Sequence, residues 1–184
     1  INNYQYNEYF KNITIPSIDL QVSKFSYLNM SYQREEFIAN ENISARHKKE
    51  WHKADMYYKV NGLEGHAKVK IRLKGHGLDH FVIPHKWSMR INMKGEKRFL
   101  GAKRFSINGI HTRGGSLQYI LTKEKIRLGF LTPRLQPIRV SINGNNRGIM
   151  YFQEHFAKEL VEFFHKREAS IIGFDDTERY FEQE

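Results

Sequence analysis

Ala67-Lys68-Val69-Lys70-Ile71-Arg72-Leu73-Lys74-Gly75 alternates apolar and basic side chains without a break until the glycine. Successive side chains of a strand point to opposite faces, so a period of two over this length predicts a strand with one apolar and one basic face. Working outward, Met56–Val60 alternates in the same way. It is joined to the quoted strand through Asn61-Gly62, a pair suited to a turn, by a loop that reads to Gly65 as longer than a tight hairpin. Downstream, Trp87–Met93 and Arg104–Asn108 continue the series, the second closed by Gly109. Leu117–Leu128 switches to helical spacing (Leu117, Ile120, Leu121, Glu124, Leu128) and stops at Gly129, a suitable C-terminal cap. Pro133 and Pro137 bracket the entry to Ile138–Ile142, which Asn143-Gly144 turns into Gly148–Gln153. Phe156–Lys166 reads as an amphipathic helix with Leu160, Phe163 and Phe164 on its apolar side. Upstream, Ile18, Leu20 and Val22 alternate in a short strand, residues 23–50 are polar with a helix expected near Ser44–Trp51, and residues 1–16 form an arm or loop ending at Pro16.

Consecutive strands joined by short turns favour antiparallel pairing. The expected fold class is α+β: a mainly antiparallel sheet with one or two packed helices, forming a single domain over residues 17–184 after the arm. Splitting each strand by alternation gives two coherent faces. Val69, Ile71, Leu73, Trp87, Met89, Ile91, Met93, Phe105, Ile107, Ile138, Val140 and Ile142 form an apolar set. Lys70, Arg72, Lys74, Ser88, Arg90, Asn92, Arg104, Ser106, Asn108, Arg139, Ser141 and Asn143 oppose them. The second set is what a solvated sheet face looks like. It is also a set of forked and point-charge donors suited to phosphate groups.

Charge along the chain is concentrated in its middle. The 184 residues carry a net charge of +10, but residues 44–134 alone hold 21 basic and 6 acidic side chains, while residues 1–43 hold 3 and 5 and residues 135–184 hold 6 and 9. A basic segment between mildly acidic flanks suits an anionic partner such as nucleotide phosphates, nucleic acid or an acidic polymer. A composition of 40% hydrophobic and 14% aromatic residues excludes an intrinsically disordered chain. Absence of Cys excludes disulfides and Cys-ligated zinc. No apolar run approaches the roughly 20 residues of a membrane-spanning helix. The stretch from Ile1 has neither the basic start nor the apolar run of a secretory leader. His76, Asp79, His80 and His85 fit no standard zinc spacing. Gly75-His76-Gly77 offers only a weak phosphate-covering turn. Asn12, Asn29 and Asn42 open formal glycosylation acceptors.

Several blocks, in order over residues 55–175, resemble the N-terminal part of CotH-type (spore-coat protein H) atypical kinase domains. Val69-Lys70-Ile71-Arg72-Leu73-Lys74-Gly75 is similar to that family's strand ending in Arg-x-Lys-Gly, and Lys86-Trp87-Ser88-Met89-Arg90-Ile91 to its Lys-Ser-Phe-Arg-Ile strand. Phe99-Leu100-Gly101-Ala102-Lys103-Arg104-Phe105 with Asn108 resembles its Phe-x-Gly-x-Lys block and following Asn. Lys123-Glu124-Lys125-Ile126 stands where the family has Arg-Glu-Lys-Leu. Thr132-Pro133-Arg134, Val140 to Gly144 and Gly148 to Glu154 resemble the strand-turn-strand ending in Glu-Gln. The chain departs at His76-Gly77-Leu78, where the family has Asn-Ser-Ser, at Lys123 for Arg, and at His155 for Gln.

The resemblance implies the N-terminal lobe of an atypical Ser kinase, ending just after a hinge at Glu154-His155, with ATP and magnesium or manganese as cofactors. Its nucleotide site would comprise Arg72, Lys74, Ser88, Arg90, Arg104, Glu124 and Glu154. Arg72, Lys74 and Arg90 would hold phosphates and Glu124 would orient a basic residue. It implies a coat or envelope protein as substrate, and a spore-coat, envelope or secreted location. The family's catalytic and metal-binding Asp residues lie in a C-terminal lobe. Asp175 and Asp176 follow the hinge too closely for that role, so the expectation is a chain that transfers no phosphate by itself. The alternative is a non-catalytic basic module whose same face binds an acidic polymer, nucleic acid or a coat protein.

Overall fold

The computed structural model describes residues 14–39, 49–75 and 77–167. Seven strands carry the fold: β1 (Ser17–Val22), β2 (His52–Val60), β3 (Leu63–Leu73), β4 (Met89–Met93), β5 (Arg104–Gly109), β6 (Leu135–Ile142) and β7 (Asn145–Glu154). They run β1-β2-β3-β4-β5-β7-β6 around a closed barrel. Every neighbouring pair is antiparallel except the closing one, in which β6 lies parallel to β1 with Ile18 opposite Val140. The expected α+β fold, a mainly antiparallel sheet with one or two packed helices resembling a kinase N-terminal lobe, is therefore replaced by a closed, mostly β architecture. Alternation and turns report neighbours along the chain, whereas closure joins segments whose nearest clamp, Val22 to Asn143, spans 121 positions.

Alternation assigned the faces as the barrel uses them. Ile18, Leu20, Met56, Val69, Ile71, Met89, Ile91, Phe105, Ile107, Ile138, Val140 and Phe152 all point inward, each at most 2% exposed. A small barrel has no lumen to spare, and these side chains fill it. Phe99, Phe105 and Phe152 form an aromatic plug, with ring centroids 5.1 to 5.9 Å apart.

Two hairpins show why Asn-Gly pairs matter here. Val60 pairs directly with Leu63, so Asn61 (φ 50°) and Gly62 (φ 82°) form a two-residue turn, tighter than the loop expected. Asn143 (φ 51°) and Gly144 (φ 76°) do the same between Ile142 and Asn145. Asn143 also acts at a distance. Its Oδ1 accepts from the Val22 backbone N–H at 2.7 Å and its Nδ2 donates to the Val22 carbonyl at 3.0 Å. The turn residue thus fastens the end of β1 beside β6.

Three helices complete the described fold: α1 (Lys24–Ala39), α2 (Ser116–Arg127) and α3 (Lys158–Phe163). Helix α1 starts at Ser23, whose hydroxyl caps the Ser26 N–H at 3.1 Å. It buries Met30, Arg34 and Phe37, with Phe37 stacked on Phe81. Arg34 in the middle of that stripe hides the helix from a hydrophobic pattern. Its burial is satisfied by the Phe81 carbonyl at 2.8 Å and the Trp87 ring. Helix α2 ends at Gly129 as expected: the Phe130 N–H bonds the Lys125 carbonyl and the Gly129 N–H the Ile126 carbonyl. Helix α3 is shorter than the expected Phe156–Lys166, because His165 takes the left-handed turn (φ 52°) that glycine usually marks. Trp87 and Ser88 precede β4 instead of opening it. Of the helix expected near Ser44–Trp51, residues 44–48 lie outside the described residues and Lys49–Trp51 are not helical. Most of the expected arm (residues 1–13), His76, Asp175 and Asp176 also lie outside them.

Candidate anion-binding face

The outward side chains of β3, β4, β5 and β7 fall into rows because the registers align. Arg72 faces Arg90, Arg90 faces Ser106, and Ser106 faces Gln153. With strands about 4.8 Å apart, this row crosses roughly 14 Å of barrel wall. Beside it, Lys70 faces Asn92 and Asn92 faces Arg104, whose carbonyl accepts the His155 N–H. On the other side lie Lys74, Ser88 and Asn108.

Polar links tie parts of this face together. The Lys74 Nζ donates to Asn108 Oδ1 at 3.2 Å and to Gln153 Oε1 at 3.0 Å, and Asn108 Nδ2 donates to the same Gln153 oxygen at 3.0 Å. Ser106, fully buried, meets His155 Nε2 at 3.0 Å. Ser88, also buried, meets His80 Nδ1 at 2.8 Å. Trp51 covers the Arg72 guanidinium at 5.0 Å from its ring centroid. Lys49 Nζ donates to the Gly75 carbonyl and lies 4.9 Å from the centre of the Phe37 ring.

The charges are poorly compensated. Among the described residues, no carboxylate forms an ion pair with Lys49, Arg72, Arg90 or Arg104. The Nε atoms of both Arg72 and Arg90 are buried without a hydrogen-bond partner. Burial, then the charges of Arg72 and Arg90, pushes Lys49 down to about 8. Burial, then Arg90, Lys74, Arg104 and Arg72, pushes His155 down to about 4, so its imidazole is neutral at pH 7. Like charges directly opposite on neighbouring strands are destabilising. An anion placed over the row would relieve the repulsion between the two guanidinium groups.

Five of the seven residues expected at the site share this face: Arg72, Lys74, Ser88, Arg90 and Arg104. Ser88 is turned into its contact with His80. Glu124 stands apart, on the exposed side of α2, where Arg127 holds its carboxylate at 2.9 and 2.5 Å. It orients no basic residue of the sheet. Glu154 is 3% exposed and chelates the Arg134 guanidinium at 2.7 and 2.8 Å, a pair covered by Phe163. Its environment is that of a buried ion pair away from the row. Lys49 was missed, since nothing in its polar surroundings marks it. Gln153 and His155 could have been found by extending the β7 alternation past Tyr151. Among the described residues, no three His, Asp or Glu side chains gather to hold a metal. No helix among them is long and apolar enough to cross a membrane.

Compared with known proteins, the sequence matches no family model and no curated protein. The likeness to CotH-type proteins is carried by the quoted residues alone.

Proposed function

We propose that the β3–β4–β5–β7 face binds the phosphates of a nucleotide such as ATP, and that the chain does so as a CotH-like component without transferring phosphate itself. The observation that carries this reading is the registered Arg72–Arg90 pair, each with a buried, unpartnered Nε and, among the described residues, neither in an ion pair with a carboxylate. Arg presents a rigid fork of donors that matches phosphate oxygens. The resemblance around Arg72, Lys74 and Arg90 points to the same ligand class. A second reading, a diffuse polyanion binder, is favoured by the excess of 21 basic over 6 acidic residues across positions 44–134. The two differ in how binding is distributed. Calorimetry of the full chain with ATP and with a short DNA duplex, at two salt concentrations, separates them. A nucleotide site gives ATP binding that is abolished in Arg72→Ala with the fold intact. Strongly salt-dependent duplex binding with no ATP signal, each lost contact taking about one unit off the salt slope, overturns the nucleotide reading.

A further inference from the structure

The Arg72–Arg90–Ser106 row ends at Gln153, and Gln153 is also the floor of a separate groove. That groove, of about 250 Å³, runs between α2 and the segment entering β6, lined by Leu117, Leu121, Thr122, Lys125 and Pro133 with Gln153 beneath. It is smaller than the roughly 300–1,000 Å³ of a complete small-molecule pocket, so it suits one end of a longer ligand. Its walls are built differently from the basic face. Leu117 and Leu121 are 59% and 50% exposed on a helix that buries only Thr122. The helix is anchored over β7 instead by the stacking of Tyr119 on Tyr151 at 5.8 Å. Aliphatic walls on one side, proline on the other, and amide and hydroxyl groups between them suit a flat, polar-edged ring.

We infer that this groove holds the base of a nucleoside polyphosphate whose phosphates lie along the Arg72–Arg90 row. The inference rests on the phosphate-binding reading of that row. Gln153 joins the two parts: its Oε1 accepts from Lys74 and Asn108 on the basic side, while its side chain lines the groove. A ligand with a phosphate chain at one end and an aromatic ring at the other spans both surfaces. An inorganic phosphate chain uses only the first.

Calorimetry of the full chain compares ATP with inorganic tripolyphosphate. The base is expected to tighten binding by about tenfold, within the range for one base packed on side chains. Leu121→Trp, an exposed position filled with a neutral ring, is expected to bring the ATP-to-tripolyphosphate affinity ratio to one. Equal affinities in the unaltered protein, or an undiminished ratio in Leu121→Trp, overturn the groove assignment while leaving the phosphate row standing. Absence of binding by both ligands overturns the row and the groove with it. Where Leu121→Trp fails to fold, Leu117→Asn serves as the second variant, with the same ratio as readout.

Discussion

Arg90 meets Arg72 across β3 and Ser106 across β5, and its charge depresses the proton affinity of both Lys49 and His155. Arg90→Met retains the aliphatic stem and removes the charge, so it is expected to stabilise the ligand-free protein by about 0.5–1 kcal/mol while losing ATP binding. Paired denaturant melts and calorimetry test this; a clear loss of stability would show that the guanidinium supports the fold. His155 makes a pH-dependent counterpart. Its folded value near 4 lies below the ordinary 6.5, so the unfolded chain takes up a proton in that interval and the native chain does not. Stability is therefore expected to fall as pH drops from about 6.5 towards 4. His155→Gln should flatten that part of a melting-temperature profile, and saturating tripolyphosphate should shrink it by favouring the imidazolium. A profile identical in the variant and the unaltered protein would remove His155 from the account.

At the scale of single elements, Asn143 does two jobs that glycine could only half fulfil. It supplies a left-handed turn residue, and its amide brackets the Val22 backbone. Asn143→Gly keeps the turn and loses the clamp, with an expected cost of about 1–2 kcal/mol from two lost hydrogen bonds. Asn143→Ala should cost more, because strain at positive φ is added to the same loss. Equal denaturation midpoints for the two variants would mean the turn conformation contributes nothing. The strands themselves were legible, since Val69 to Lys74 and Ile138 to Ile142 alternate cleanly and local pairing follows from short turns. Helix α1 was not, because Arg34 interrupts its apolar stripe and finds its partners on Phe81 and Trp87, far along the chain. The end of α3 was illegible too, resting on His165 in a conformation its sequence does not advertise. At the site, alternation brought Arg72, Lys74, Ser88, Arg90 and Arg104 to one face. It carried no information on Glu124, whose neighbour is one helical turn away.

For the molecule as a whole, closure is the property that local pattern cannot express. Strand β1 contributes only six residues, yet it pairs on both sides, with β2 and with β6. Deleting residues 17–22 would leave β2 and β6 with unpaired edges and open Met56, Val140 and Ile142 to water. Such edges template association with other chains. The expected result is loss of a cooperative melt and formation of higher oligomers, read by calorimetric scanning and sedimentation. A monomer with a sharp transition would mean the remaining six strands close without it.

The parallel seam between β1 and β6 also sets a timetable for synthesis. Because β1 is made first and its partner much later, the ribosome must deliver residue 142 before the seam can form. Through that interval the nascent chain carries an unfinished sheet with two open borders. Contacts this remote in sequence are slow to form and prone to wrong pairing. Delay before residue 142 lengthens that exposure, so the yield of native protein is expected to fall when elongation pauses between residues 22 and 142.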